Sequence, residues 1–167
     1  MVAADIGIAQ EIEWAAGLAF IDIGMPEIAA DEPFSAEELA PYLAAGRAWV
    51  IAPEGERVLG YLIADVVDGF VHIEQVSVHP DAAHQGLGRR LIEHVAARAA
   101  GDGVAALTLT TFRDVPWNAP YYERCGFHVI PEPDVGPELR ALRAHEATLG
   151  LDPARRVCMR RDLAPAS

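Results

Sequence analysis

Apolar residues near the start of the chain recur at helical spacing. Ile12, Ala15, Ala16 and Ala19 form one stripe, which predicts a helix over Glu11 to Phe20. Ser35 with Glu38 three residues on is a capping-box signature, and Gly46 closes the helix it opens. Between the two, Ile21 to Phe34 reads as a proline-containing loop rich in acids. The pattern then becomes strand-like. Ala48 to Ala52 is a strand, turned at Pro53-Glu54-Gly55. Val58 to Val67 and Phe70 to His79 flank Asp68-Gly69, a strong short hairpin signal. An antiparallel meander follows from this. After Pro80 the period changes again. Leu91, Ile92, Val95 and Ala96 mark a helix over Arg89 to Ala100, ended by Gly101 and Gly103. Val104 to Thr111 reads as a buried strand, so a β-α-β crossover should make its flanking strands parallel. A short helix (Asn118 to Arg124), a strand (Phe127 to Ile130), a helix from Gly136-Pro137 to Gly150 and a last strand (Arg156 to Leu163) complete the chain. The expected fold class is α/β with a mixed sheet and helices on both faces, in a single domain over 1–167. No repeat or low-complexity linker divides it.

Composition adds exclusions. The chain has 167 residues, 51% hydrophobic and 23% charged, enough for its own core. No apolar run reaches the length of a membrane span, and no basic-then-apolar leader opens the sequence, so a cytoplasmic protein is expected. Cys125 and Cys158 stand in no CxxC pair and read as free thiols. Net charge is −12. Residues 1–80 hold 14 acids and 2 arginines, whereas 81–167 hold 11 of each. That acidic half argues against nucleic acid or an anionic membrane as partner, and suits a cationic ligand. All 13 basic residues are arginine. Without lysine, a Schiff base and a Walker-type phosphate lysine are excluded.

The candidate chemistry lies between Val76 and Ile92. A strand ends, Gly86 and Gly88 permit a tight turn, and a helix begins behind it. Open amides at a helix N-terminus, with the positive end of the dipole, favour an anion such as a pyrophosphate. Arg89 and Arg90 add positive charge. A Rossmann fingerprint fails because Leu91 occupies the third glycine position and no acid lies in Ala105 to Thr111. The same glycines also suit an ordinary turn before a surface helix.

Two segments together carry a resemblance. Val78-His79-Pro80 followed by Ala83-His84-Gln85-Gly86-Leu87-Gly88 is similar to the V-x-P, [RQ]-x-x-G-x-[GA] acyl-CoA turn of the GNAT superfamily of N-acetyltransferases. Tyr121-Tyr122-Glu123-Arg124-Cys125-Gly126-Phe127 resembles that family's aromatic-Y-E-x-x-G-F segment. Ala83 departs from the usual Arg or Gln, and His84 from a frequent glycine.

The resemblance implies a GNAT-like fold, acetyl-CoA as cosubstrate, and direct attack by a primary amine on its thioester. Cofactor contacts then fall on Val76, Ser77, Val78, His84, Gln85, Gly86, Leu87, Gly88, Arg89 and Asn118. Asn118 could instead only cap its helix. Tyr122 matches the family tyrosine that protonates the leaving thiolate, although a core role is open to it. Glu74, or His72 two residues earlier on the same strand face, is the candidate base. His72-Ile73-Glu74 also matches the H-x-E of zinc deaminases, but P-C-x-x-C is absent, so no metal is expected. The first helices and their loop would wall the acceptor side. There Glu11, Glu13, Asp22, Glu27, Asp31 and Glu32, with Trp14 or Phe20 as an aromatic wall, suit a small cationic amine, amino acid or peptide, and equally suit a plain solvated acidic helix. A homodimer is a family expectation. The alternative is a CoA-binding sensor or assembly module without turnover.

Overall fold

The computed structural model describes residues 1–53 and 57–164. Glu54 and Gly55 of the expected turn lie outside the described residues. Six helices and six strands are described: α1 (Ile6–Gly17), α2 (Pro26–Ala29), α3 (Ala36–Ala44), β1 (Ala48–Ile51), β2 (Gly60–Val67), β3 (Phe70–Val78), α4 (Leu87–Gly101), β4 (Ala106–Phe112), α5 (Ala119–Arg124), β5 (His128–Val129), α6 (Pro137–Thr148) and β6 (Arg156–Asp162). The strands form one mixed sheet in the order β1-β2-β3-β4-β6-β5. β3 and β4 are parallel, with His72 opposite Thr108, as a crossover through α4 requires. β1 with β2, and β6 with both β4 and β5, are antiparallel.

The chain divides into two compact units. One comprises Met1–Ala64 and Gln75–Glu93, the other Asp65–Glu74 and His94–Ser167. In the first, Ile12 of α1, Leu39 of α3 and Tyr61 and Ile63 of β2 share a core cluster. The capping box forms as the sequence indicates: Glu38 N–H donates to Ser35 Oγ at 3.2 Å, and Ser35 N–H donates to Glu38 at 2.8 Å. α1 starts earlier than its stripe suggests, at Ile6, and passes at Leu18 into a 3-10 helix over Leu18–Ile23. The expected loop is thus half helical.

In the second unit the β2–β3 hairpin does more than turn. Asp68 and Gly69 both adopt positive φ (52° and 76°), as a type I′ turn demands. The Asp68 carboxylate accepts the N–H groups of Glu138 and Leu139, each at 3.0 Å, and Glu138 accepts the N–H of Asp68 in return. This is a reciprocal cap for α6, built from residues 70 apart in the chain. Gly136 makes room for it, since a Cβ there would collide with the Asp68 carboxylate. Asp68→Ala should therefore lower stability by about 2 kcal/mol, with Asp68→Asn recovering part of the loss. Urea unfolding of the three proteins measures this.

Candidate functional site

The glycine turn belongs to the first unit. Val78, Leu59, Ala82 and Leu87 pack into a small apolar cluster beneath it, with Ile51 alongside. His79 N–H donates to Leu59 C=O at 2.8 Å, which fixes where the chain leaves β3. Pro80–Ala82 forms one 3-10 turn. His84 then takes φ +62° and Gly86 φ +75°, both left-handed, before α4 begins at Leu87. Ala83, His84, Gln85 and Gly86 are exposed while Leu87 is buried. Among the described residues, the amides of Gln85 to Arg89 have no backbone acceptor outside the helix. An exposed strand-to-helix turn has therefore been held open by buried apolar contacts below it.

The departure at His84 acquires a physical meaning here. Glycine enters the left-handed region freely, whereas an L-residue pays about 1 kcal/mol or more. His84→Gly should raise stability by about 0.5–1 kcal/mol, and His84→Val should lower it by about 1 kcal/mol or more. Thermal unfolding of both variants checks the sign.

Ser77 is buried, and its Oγ accepts Gln75 Nε2 at 3.0 Å. Gln75 also reaches Glu13 at 3.4 Å. Glu13 is not a solvated acid of the α1 surface. It accepts the Tyr61 hydroxyl at 2.6 Å and the Phe34 N–H at 3.1 Å, and burial holds its pKa above the ordinary carboxylate value. Its role is to tie α1 to β2 and β3. Glu11, Asp22, Glu27, Asp31 and Glu32 remain exposed.

The second unit holds the acid–base candidates. His72 is 1% exposed; its Nδ1 lies 3.0 Å from Thr108 Oγ1 and its Nε2 4.0 Å from Glu74 Oε2. The two side chains share a strand face, as the period of two indicates. Burial lowers the His72 pKa to about 4 against the pull of Glu146, Asp65 and Asp68, so the ring is neutral at pH 7. An ionised Glu74 can only accept, which favours a proton on Nε2 and leaves Nδ1 to accept from Thr108. Glu74 itself is only partly buried. Burial, then the charges of Glu146 and Asp65, raise its pKa, and Arg156 opposes them. Arg156 pairs with Glu146 at 2.8 Å, donates to Thr110 at 3.0 Å and lies over the Phe112 ring at 4.8 Å. Sequence reasoning missed Glu146 and Arg156. They come from α6 and β6, and no motif links them to Glu74.

Because His72 has a depressed pKa when folded, it favours the folded state above its ordinary value of 6.5. That contribution is lost as pH falls from 6.5 towards about 4. It amounts to roughly 3 kcal/mol at most. Acid unfolding curves of the native protein and His72→Gln should converge across that window.

Tyr122 lies in α5, half-buried, edge-on to Phe127 with ring centroids 5.9 Å apart. Burial pushes its pKa above the ordinary tyrosine range, so the phenol keeps its proton at neutral pH. Among the described residues its hydroxyl has no hydrogen-bond partner. Asn118 stands at the N-cap position of α5, yet its side chain does not cap. Its Nδ2 donates to Thr111 Oγ1 at 2.8 Å, and its Oδ1 is buried without a partner. Such an orphan acceptor costs about 1–3 kcal/mol unless something donates to it.

The model of the Acetyltransferase (GNAT) family matches residues 13–127, more than two-thirds of the chain. The chain belongs to the GNAT acetyltransferase family. Its match spans both the glycine turn and the Tyr121–Phe127 segment. Similar solved structures include the ribosomal-protein-S18-alanine N-acetyltransferase of Escherichia coli (21% identity, TM-score 0.64, covering 100% of this chain and 93% of that one). The PaiA N-acetyltransferase of Thermoplasma acidophilum, solved with coenzyme A, gives a TM-score of 0.71 at 13% identity and covers 97% and 95%. Naa20 of Chaetomium thermophilum, solved with a bisubstrate analogue, gives 0.66 at 17% identity and covers 98% and 84%. At these identities the likeness concerns the GNAT fold. Family membership supports acetyl transfer as the general activity. Among the described residues no helix is long and apolar enough to cross a membrane, and no group of three or more His, Cys, Asp or Glu is arranged to hold a metal ion.

Proposed function

We propose that the protein transfers an acetyl group from acetyl-CoA to the primary amine of a cationic acceptor. The observation that carries the reading is the exposed run from Ala83 to Gly86. Two left-handed residues there leave successive amides open at the start of a 15-residue helix. A diphosphate is the ligand such a turn suits. Its amides from Gln85 to Arg89 would hold the coenzyme's pyrophosphate, with less side-chain help than usual because Ala83 offers no donor. The orphan Oδ1 of Asn118 supports the same assignment, since a pantetheine amide N–H would satisfy it. Backbone amides over Val76 to Val78 are assigned to the pantetheine and the thioester carbonyl.

In this reading the acceptor amine loses its proton to Glu74. The raised pKa of Glu74 makes it a stronger base than an exposed carboxylate. His72 is neutral and too deeply buried to meet the substrate, so it orients Glu74 rather than replacing it. The neutral amine attacks the carbonyl carbon, the C–S bond breaks, the thiolate takes the proton of Tyr122, and the second nitrogen proton, lost as the amide forms, restores the Tyr122 phenol. Glu27, Asp31 and the neighbouring exposed acids would attract a cationic acceptor before it docks.

The test is acetyl-CoA-dependent thiol release across polyamines, amino acids, aminoglycosides and peptides. Release above background with cationic amines is expected. Coenzyme binding without release for any amine would instead favour a sensor or assembly module.

A further inference from the structure

The first unit carries an apolar stripe that faces outward. Trp14 is 56% exposed, Leu18 38%, Ile21 52% and Ile23 39%. The first three follow one another at intervals of four and three along α1 and the 3-10 helix that continues it, so they lie on one side of the helical segment. Large side chains grouped this way mark an interaction surface more than isolated exposure does.

Charge identifies the occupant. Between Glu11 and Glu38 the sequence holds eight acids and no arginine or histidine. Glu11, Asp22, Glu27, Asp31 and Glu32 are exposed, and among the described residues none of them forms an ion pair. They crowd one another: partial burial and then the Glu27 charge raise the pKa of Asp31. A second copy of this chain would bring the same acids against themselves, at net charge −12 per copy. An anionic lipid surface would be repelled for the same reason. From Trp14 to Ile21 the stripe extends about 10 Å at helical rise, longer than a single small amine covers.

We infer that the Trp14–Leu18–Ile21–Ile23 stripe with its acidic surround docks a basic polypeptide segment bearing bulky apolar side chains. The apolar side chains cover the stripe, and arginine or lysine side chains meet the acids. This deepens the acceptor side of the proposed function and rests on it only for the claim that the docked partner is also acetylated. Docking itself needs no coenzyme.

The experiment is a fluorescence and calorimetric titration of the free protein with three synthetic twelve-residue peptides: one of alternating Leu and Arg, one of Ser and Arg, one of Leu and Glu. The Leu/Arg peptide is expected to bind at least about tenfold more tightly than either other peptide, and more weakly as salt rises. The surface variant Trp14→Ser/Ile21→Ser should lose about tenfold in affinity, with its circular dichroism and unfolding midpoint close to the native protein's. Equal binding by native and variant protein would overturn the proposal. So would equal binding of the Leu/Glu peptide, concentration-dependent self-association abolished by the variant, or tighter binding to phosphatidylserine vesicles than to the Leu/Arg peptide. Thiol release, measured separately, reports on acetyl transfer, so either idea can fail without the other.

Discussion

Replacing Tyr122 with Phe should lower kcat by about 100-fold while leaving the KM for acetyl-CoA within about threefold. The ring stays edge-on to Phe127, so packing is preserved and only the phenol is removed. Tyrosine suits this task because burial keeps its proton in place at neutral pH. In the proposed role the proton is given up only when a thiolate, a stronger base than water, forms beside it. The variant should recover rate with an acyl donor whose leaving thiol has a lower pKa, because such a thiolate needs less protonation. A Tyr122→Phe protein with native kcat would assign this ring to packing alone. Loss of coenzyme affinity with kcat unchanged would make it a binding residue.

Glu74→Gln should cost a similar factor of about 100, and should also change the shape of the pH profile. As the proposed base, Glu74 acts as its carboxylate, so kcat/KM should rise as pH climbs through its pKa. Burial, Glu146 and Asp65 all raise that pKa, so the acid limb should lie above the ordinary carboxylate range. Glu146→Gln removes one of the raising charges and should move the limb to lower pH. Glu74→Gln should remove the limb altogether. If His72 were the base instead, Glu74→Gln would keep most of the rate and His72→Gln would abolish it. The burial of His72 and its Thr108 contact argue against that alternative.

What the sequence made legible was mostly local. Ser35 with Glu38, the Asp68-Gly69 turn and the placing of His72 and Glu74 on one face depend on spacing within one element. The glycine turn was equally plain, because Pro80, Gly86 and the apolar residues after it fall within a few positions. α1 begins five residues before the expected Glu11, since Ile8 and Ala9, four and three residues before Ile12, extend the same apolar stripe. The 3-10 helix over Leu18–Ile23 was missed because its period differs from the one sought.

Other features needed tertiary structure. Asp68 caps α6 from 70 residues away, and no local pattern encodes that. Glu13 carried the same letter as its exposed neighbours, yet its link to Tyr61 makes it structural. Asn118 read equally well as a helix cap. In the fold its side chain does not cap but bonds Thr111, leaving its Oδ1 without a partner. The electrostatic setting of Glu74 depends on Glu146 and Arg156, which the chain brings near it only by folding.

The proposed acetyl transfer requires the turn through His84 and Gly86 to grip a coenzyme's diphosphate. Isothermal titration of the protein with coenzyme A tests it most directly. Saturable binding at roughly micromolar Kd is expected, weakened at least about tenfold in Gly86→Val, because a β-branched residue strongly disfavours φ +75°. No heat with coenzyme A or acetyl-CoA at millimolar concentration, or the same affinity in Gly86→Val, would contradict it.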